Sequence, residues 1–155
     1  MRATVLNEFE NLTVDFLLLA DRAEVVNGKL YAMGAAWERI GVADFGQPLS
    51  ISFALGVLVP WNATNRQHTV TLTMHDADGQ RLDFRVEASF VTGRPPQLNG
   101  ETQRVLLAVP GATVQLPGPG SYVLSASVDG LEAKAVRFAA VPAQAGPPPA
   151  PPPPT

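Results

Sequence analysis

Apolar and polar positions alternate with period two through most of the chain. From Leu49 to Val59 every odd position is large and apolar, and the even positions are small until Leu58. Successive side chains of a strand point to opposite faces, so this run predicts a strand with one heavy core face and one thin face. Val70, Leu72 and Met74 alternate with Thr69, Thr71 and Thr73 in the same way. Leu82, Phe84, Val86, Ala88 and Phe90 alternate with Arg81, Asp83, Arg85, Glu87 and Ser89, a mixed-charge set that predicts a solvated sheet face. Tyr31, Met33 and Trp37 share a parity and are expected in the core. No segment carries an amphipathic helix of three turns.

Turn residues fall between these runs. Asn27-Gly28 tolerates the positive φ angles of a two-residue hairpin, and Asp129-Gly130 closes a last hairpin between Tyr122–Val128 and Leu131–Phe138. Asp76-Ala77-Asp78-Gly79 closes a central one. In the final strand Glu132 and Lys134 alternate correctly, whereas Val136 and Phe138 fall on the polar side, which predicts a bulge or an edge covered by another segment. The pattern predicts an all-β, antiparallel β-sandwich of about eight strands, and a barrel is the competing closure. Residues 1–12 are read as an N-terminal segment, 13–141 as the sandwich domain and 142–155 as a solvated, disordered proline-rich tail. From Gly146 onward that tail is nearly all proline, which cannot donate ladder hydrogen bonds.

Composition narrows the function classes. Apolar residues are 46 % of the 155 and charged residues 16 %, enough for a core and too little charge for a disordered chain. The net charge of −3 and the scattered basic residues argue against nucleic acid as a partner. With no cysteine there is no disulfide, thiolate metal site or cysteine nucleophile. The first ten residues contain no apolar core of a signal peptide, and no run reaches the roughly 18 apolar residues of a membrane span, so the expected setting is cytoplasmic and away from membranes.

Chemistry-bearing motifs are sparse. His68 and His75 have opposite parity, so one unbroken strand cannot aim both at one ion, and no metal site is expected. Asp76-x-Asp78-Gly79 is a fragment of a calcium loop whose aspartates turn chemistry already explains. Nucleophile-elbow, Walker and dinucleotide glycine patterns are absent, so no catalytic residue and no cofactor is assigned and the chain is read as a non-enzyme. The segment Val59–His68 stands out. Trp61 followed by Asn62, Asn65, Arg66 and His68 has the composition of a sugar-stacking platform with a polar rim, against the plainer reading that Trp61 plugs one end of the sandwich. Arg94, in the stiff loop Thr92–Gly100, joins these five as a candidate contact residue.

Two resemblances follow from quoted residues. Pro117-Gly118-Pro119-Gly120-Ser121-Tyr122 resembles the corner of immunoglobulin-like and fibronectin-like sandwiches, in which a tyrosine hydroxyl bonds back to the turn's backbone. Gly28-Lys29-Leu30-Tyr31 with Gly34 and Trp37, Val59-Pro60-Trp61 with Thr64-Asn65 and His68, Gly93-Arg94-Pro95-Pro96 and Gly120-x-Tyr122 together resemble a family of small bacterial β-proteins known only as a domain of unknown function. That resemblance implies a bacterial, cytosolic β-protein and supplies no activity, cofactor or catalytic residue. The reading is therefore an interaction or structural module, with a small-ligand or carbohydrate binder at Trp61–His68 as the alternative. A protein partner at a sheet edge or on the tail, and a second copy at an open edge, are left as expectations.

Overall fold

The computed structural model describes residues 12–143 and 150–154. Nine strands run in chain order through these residues: β1 (Thr13–Val26), β2 (Lys29–Ala35), β3 (Arg39–Val42), β4 (Leu49–Val59), β5 (Gln67–Asp76), β6 (Arg81–Val91), β7 (Gln103–Val114), β8 (Gly120–Val128) and β9 (Leu131–Pro142). They form two sheets, ordered β2-β1-β4-β7 and β3-β9-β8-β5-β6. The chain is thus all-β. Nine strands are one more than the expected eight. The β3–β9 pair is parallel, so the sheets are not wholly antiparallel as the pattern suggested. Tight hairpins force antiparallel neighbours, whereas β3 reaches β9 through a long connection that leaves its direction free.

Between the sheets, Leu17, Leu19, Phe53, Leu55, Val57, Leu72, Met74, Leu124 and Phe138 pack as the main core. β4 is buried on both faces from Ile51 to Val57. Its thin face explains how. β1 and β7 flank β4 on opposite sides, yet they approach within 8 Å (Cα–Cα), closer than the roughly 9.5 Å of a flat sheet. Ser52, Ala54 and Gly56 are small enough to lie at the crease of this curl. A second cluster of Ala20, Ala23 and Ala54, backed by Leu30 and Ala108, fills it. A Cβ on Gly56 would meet Asp15 Oδ1 and Phe16 Cε1, both at 2.5 Å.

The irregular end of β9 is a bulge. Ser127 pairs with Glu132 and Ala126 with Lys134, so Ala133 is the extra residue that turns Val136, Phe138 and Ala140 inward. Tyr122 Oη donates to Gly118 O at 2.5 Å and accepts the Gly118 N–H at 3.3 Å, the corner bond read from the sequence.

Tyr31 and Met33 are not core residues. They are 53 % and 68 % exposed, because β2 pairs only with the outer half of β1 and is covered by neither sheet. Trp37 does reach the core, meeting Phe138 edge to face at 5.8 Å. The parity linking it to Met33 is broken by left-handed backbone at Gly34 (φ 57°) and Ala36 (φ 64°). At the ends of the domain, Leu12 is buried in the core, Pro142 belongs to β9 and the Ala143 N–H donates to Val42 O. Half of the proposed tail, residues 144–149 and 155, and residues 1–11 of the proposed N-terminal segment lie outside the described residues. Ala150–Pro154 carry no regular secondary structure and are exposed. No helix among the described residues is long and apolar enough to cross a membrane.

Gly56→Ala is expected to lower stability by about 1–3 kcal/mol, since both neighbours at the crease must move. Gly118→Ala, where nothing lies within 4 Å of the added carbon, is expected to stay near the native value. Urea unfolding of both variants checks the contrast.

Candidate functional site

After β4 the chain makes a single 3-10 turn, Trp61–Ala63, before entering β5. Pro60 holds the extended φ/ψ that precedes it. Ala63 N donates to Pro60 O, and Thr64 closes the turn through its hydroxyl to Trp61 O at 2.7 Å. Asn65 then takes left-handed backbone (φ 60°), which asparagine tolerates, and donates its N–H to Thr92 O on the loop after β6. That loop crosses from one sheet to the other and carries Arg94 back over the turn.

Arg94 is the organising side chain of the outer surface here. Its guanidinium carbon lies 4.5 Å from the centre of the Trp61 ring. Its Nε donates to Thr64 Oγ1 at 2.5 Å and an Nη2 to Trp61 O at 3.1 Å. A cation over an indole face is attractive, and the two hydrogen bonds pin it there. Trp61 does not plug the sandwich end. It is 38 % exposed, and the buried residue of the turn is Ala63. The ring face under Arg94 is occupied by the protein's own side chain. Asn62 is exposed and contributes its carbonyl, which accepts from Arg66 Nη2 at 3.4 Å.

His68 points the other way. It is 3 % exposed, its ring lies 5.7 Å from that of Phe90, and both nitrogens face acceptors. Nε2 sits 2.7 Å from Ala63 O and Nδ1 2.6 Å from Asp129 Oδ2. A neutral ring has one N–H and satisfies one of these; the doubly protonated ring satisfies both. Asp129, at the first position of the Asp129-Gly130 turn, also accepts the Thr69 N–H through Oδ1 at 2.9 Å. Partial burial pushes its carboxyl up. The hydrogen bonds from His68 and Thr69 and the charges of His68 and Arg66 outweigh that, holding it below the ordinary 3.8. The pair thereby clamps the β8–β9 turn to the start of β5.

The structure therefore divides the six sequence candidates. Trp61 and Arg94 share one surface, Asn62 and Arg66 sit beside it, Asn65 shapes the turn, and His68 anchors it from inside. An open cleft of about 730 Å³ adjoins the anchor, lined by Leu12, Arg66, His68, Asp129, Leu131 and Glu132. Sequence reasoning missed Asp129, because Asp-Gly reads as a hairpin turn and nothing in the one-dimensional pattern links it to His68. Asp76 Oδ1 accepts the N–H groups of Asp78 and Gln80, so that carboxylate is engaged within its turn.

A two-sheet β-domain with this turn-and-clamp end defines the class. Over residues 15–141 the chain matches the model of a family of unknown function, DUF6941, and it belongs to that family. A comparison with curated proteins finds no match. Among solved structures it is similar to the Pseudomonas fluorescens alkylpurine DNA glycosylase AlkC bound to DNA containing an abasic site analog, with 13 % identity and a TM-score of 0.48. That likeness covers 90 % of this chain and 32 % of the glycosylase chain, so this chain spans about a third of its length. A likeness at that identity and score is too slight to carry a function across.

Asp129→Asn keeps the shape of the turn and removes the charge. The folded carboxyl titrates below the unfolded one, so its stabilisation is present above the unfolded value and is lost as pH falls through the folded value. The stability gap between the native chain and Asp129→Asn is expected to be open at about pH 5 and to close as pH drops below 3.8. Urea unfolding across that range tests it.

Proposed function

We propose that this chain is a non-enzymatic protein-interaction module of the bacterial cytosol, immunoglobulin-like in architecture, whose contact element is the β1–β2 hairpin. The observation that carries the reading is the exposure of that hairpin. β2 is the outer strand of its sheet and is exposed along most of its length, and Val26, Tyr31 and Met33 are exposed large apolar side chains. A two-stranded ribbon is marginal alone in water, and an open strand edge is a template for a further strand.

Several features support the rest of the reading. The parallel β3–β9 pair and the Tyr122–Gly118 corner fit an immunoglobulin-like arrangement. His68 is buried and sits between Ala63 O and Asp129 Oδ2, which favours a structural role for it. The net charge of −3 favours a protein over a nucleic-acid partner, and the absence of cysteine fits a reducing compartment.

Affinity recovery from the native host tests this. Met33→Lys and Ala32→Pro, which spoil the edge in different ways, are each expected to cut recovery of a specific partner by about tenfold or more. Arg85→Ala on β6 is expected to leave it unchanged. Equal recovery by all three, or substrate turnover that His68→Ala abolishes, would overturn the reading.

A second reading rests on Trp61, whose part-exposed ring and Arg94 cover lie on the same face as Asn62 and Arg66. Under it the segment takes a small polar ligand or a carbohydrate that displaces Arg94. Arg94→Ala is then expected to raise affinity for that ligand, read from Trp61 fluorescence during glycan titration. No change in either protein across the panel counts against it.

A further inference from the structure

The four sheet edges are not alike. β3 is only four residues long. β6 carries Arg81, Asp83, Arg85 and Glu87 along its outer face. β7 is interrupted by Pro110 and by Gly111, whose φ of 62° accompanies a register shift against β4. Short length, charge, proline and bulges are the devices that keep an edge from pairing. Among the described residues, β2 has only Lys29, at its first position, before Gly34.

The hairpin geometry says which groups are free. Asn27 (φ 51°) and Gly28 (φ 73°) are both left-handed, a type I′ turn, so Val26 and Lys29 exchange both hydrogen bonds. The exchange recurs at every second pair, Glu24 with Tyr31 and Arg22 with Met33. The N–H and C=O groups of Leu30 and Ala32 therefore point away from β1, toward the open edge. Gly34, with its φ of 57°, ends the straight stretch.

We infer that the strand which fills this edge is β2 of a second copy, antiparallel and two-fold symmetric about Tyr31. This rests on the interaction reading above and names its partner. The register follows from the free groups. Leu30 of one copy faces Ala32 of the other, so the two pairs exchange four hydrogen bonds without using the kinked Gly34. Tyr31 then faces Tyr31 of the second copy in the close, non-hydrogen-bonded position, and Lys29 faces Met33. No charge meets a like charge, and aromatic pairs in this position stabilise a sheet. The exposed face of Tyr31 and Met33, which also lines a cleft of about 550 Å³ with Arg22, Glu24, Ser52 and Pro110, becomes continuous between copies. The contact is self-complementary, as a two-fold interface must be.

The cysteine-free sequence makes the register directly testable in the full chain. Only the residue on the two-fold axis meets itself. In the close pair the Cα atoms are about 4.5 Å apart, within disulfide reach. Tyr31→Cys is expected to form a covalent dimer under mild oxidation about tenfold faster than Lys29→Cys or Arg85→Cys. Light scattering is expected to give the native chain twice the monomer mass at high concentration. Tyr31→Lys, which sets two like charges face to face, is expected to return it to the monomer with unchanged circular dichroism. A native chain that is monomeric throughout, or equal oxidation rates for the three cysteine variants, overturns self-pairing. If such a monomer still loses a host partner on Met33→Lys, the interaction reading stands and the second copy is the wrong occupant. If neither occurs, both fall.

Discussion

The rest of the structure depends on how closely β1 and β7 can approach over β4. A strand with large side chains on both faces would hold its neighbours apart in a flat sheet. β4 instead carries Phe53, Leu55 and Val57 on one face and Ser52, Ala54 and Gly56 on the other. The large face meets the second sheet and makes the main core. The small face lets the first sheet close on itself around Ala20, Ala54 and Ala108. One strand thus organises two apolar clusters, and the absent side chain at Gly56 is where Asp15 and Phe16 fit. Asp15 Oδ2 in turn accepts from Arg104 Nε at 2.6 Å, tying β1 to β7 across the crease.

The curl has a consequence at the other end of β1. Its first half pairs with β4 and its second half with β2, so the strand leaves the sandwich midway along its length. The hairpin it forms is tied to the rest of its sheet through the small cluster around Ala20, Ala23 and Leu30, and its outer edge carries no further strand. Tyr31 and Met33 are more exposed than Trp61, which favours this hairpin over the tryptophan as the proposed contact surface.

At the opposite pole, the Trp61–His68 segment is held from both sides. Arg94 grips it from the solvent face through an indole ring, a hydroxyl and a carbonyl. The His68–Asp129 pair grips it from within and joins the β8–β9 turn to β5. Most of the polar groups that made this segment look like a binding rim are spent on fixing its own shape. The part-exposed Trp61 ring and the neighbouring cleft are what is left for a ligand.

Alternation along single strands was legible in the sequence. The core face of β5, the charged face of β6, the Asn27-Gly28 and Asp129-Gly130 turns, the bulge in β9 and the Tyr122 corner all follow from local side-chain parity and turn chemistry. Family membership was legible for the same reason, since its landmarks are local. What parity cannot say is which strand lies beside which, or how far a strand extends beyond its neighbours. Tyr31 and Met33 alternate like core residues, and only the pairing of β2 with the overhanging half of β1 exposes them. His68 and Asp129 are 61 residues apart, and no periodicity relates them. The sequence by itself determined the β class, the faces and the turns, because these depend on neighbours along the chain. The tertiary structure alone decided the parallel β3–β9 pair, the curl, the clamp and the open edge, because these depend on which strands meet in space.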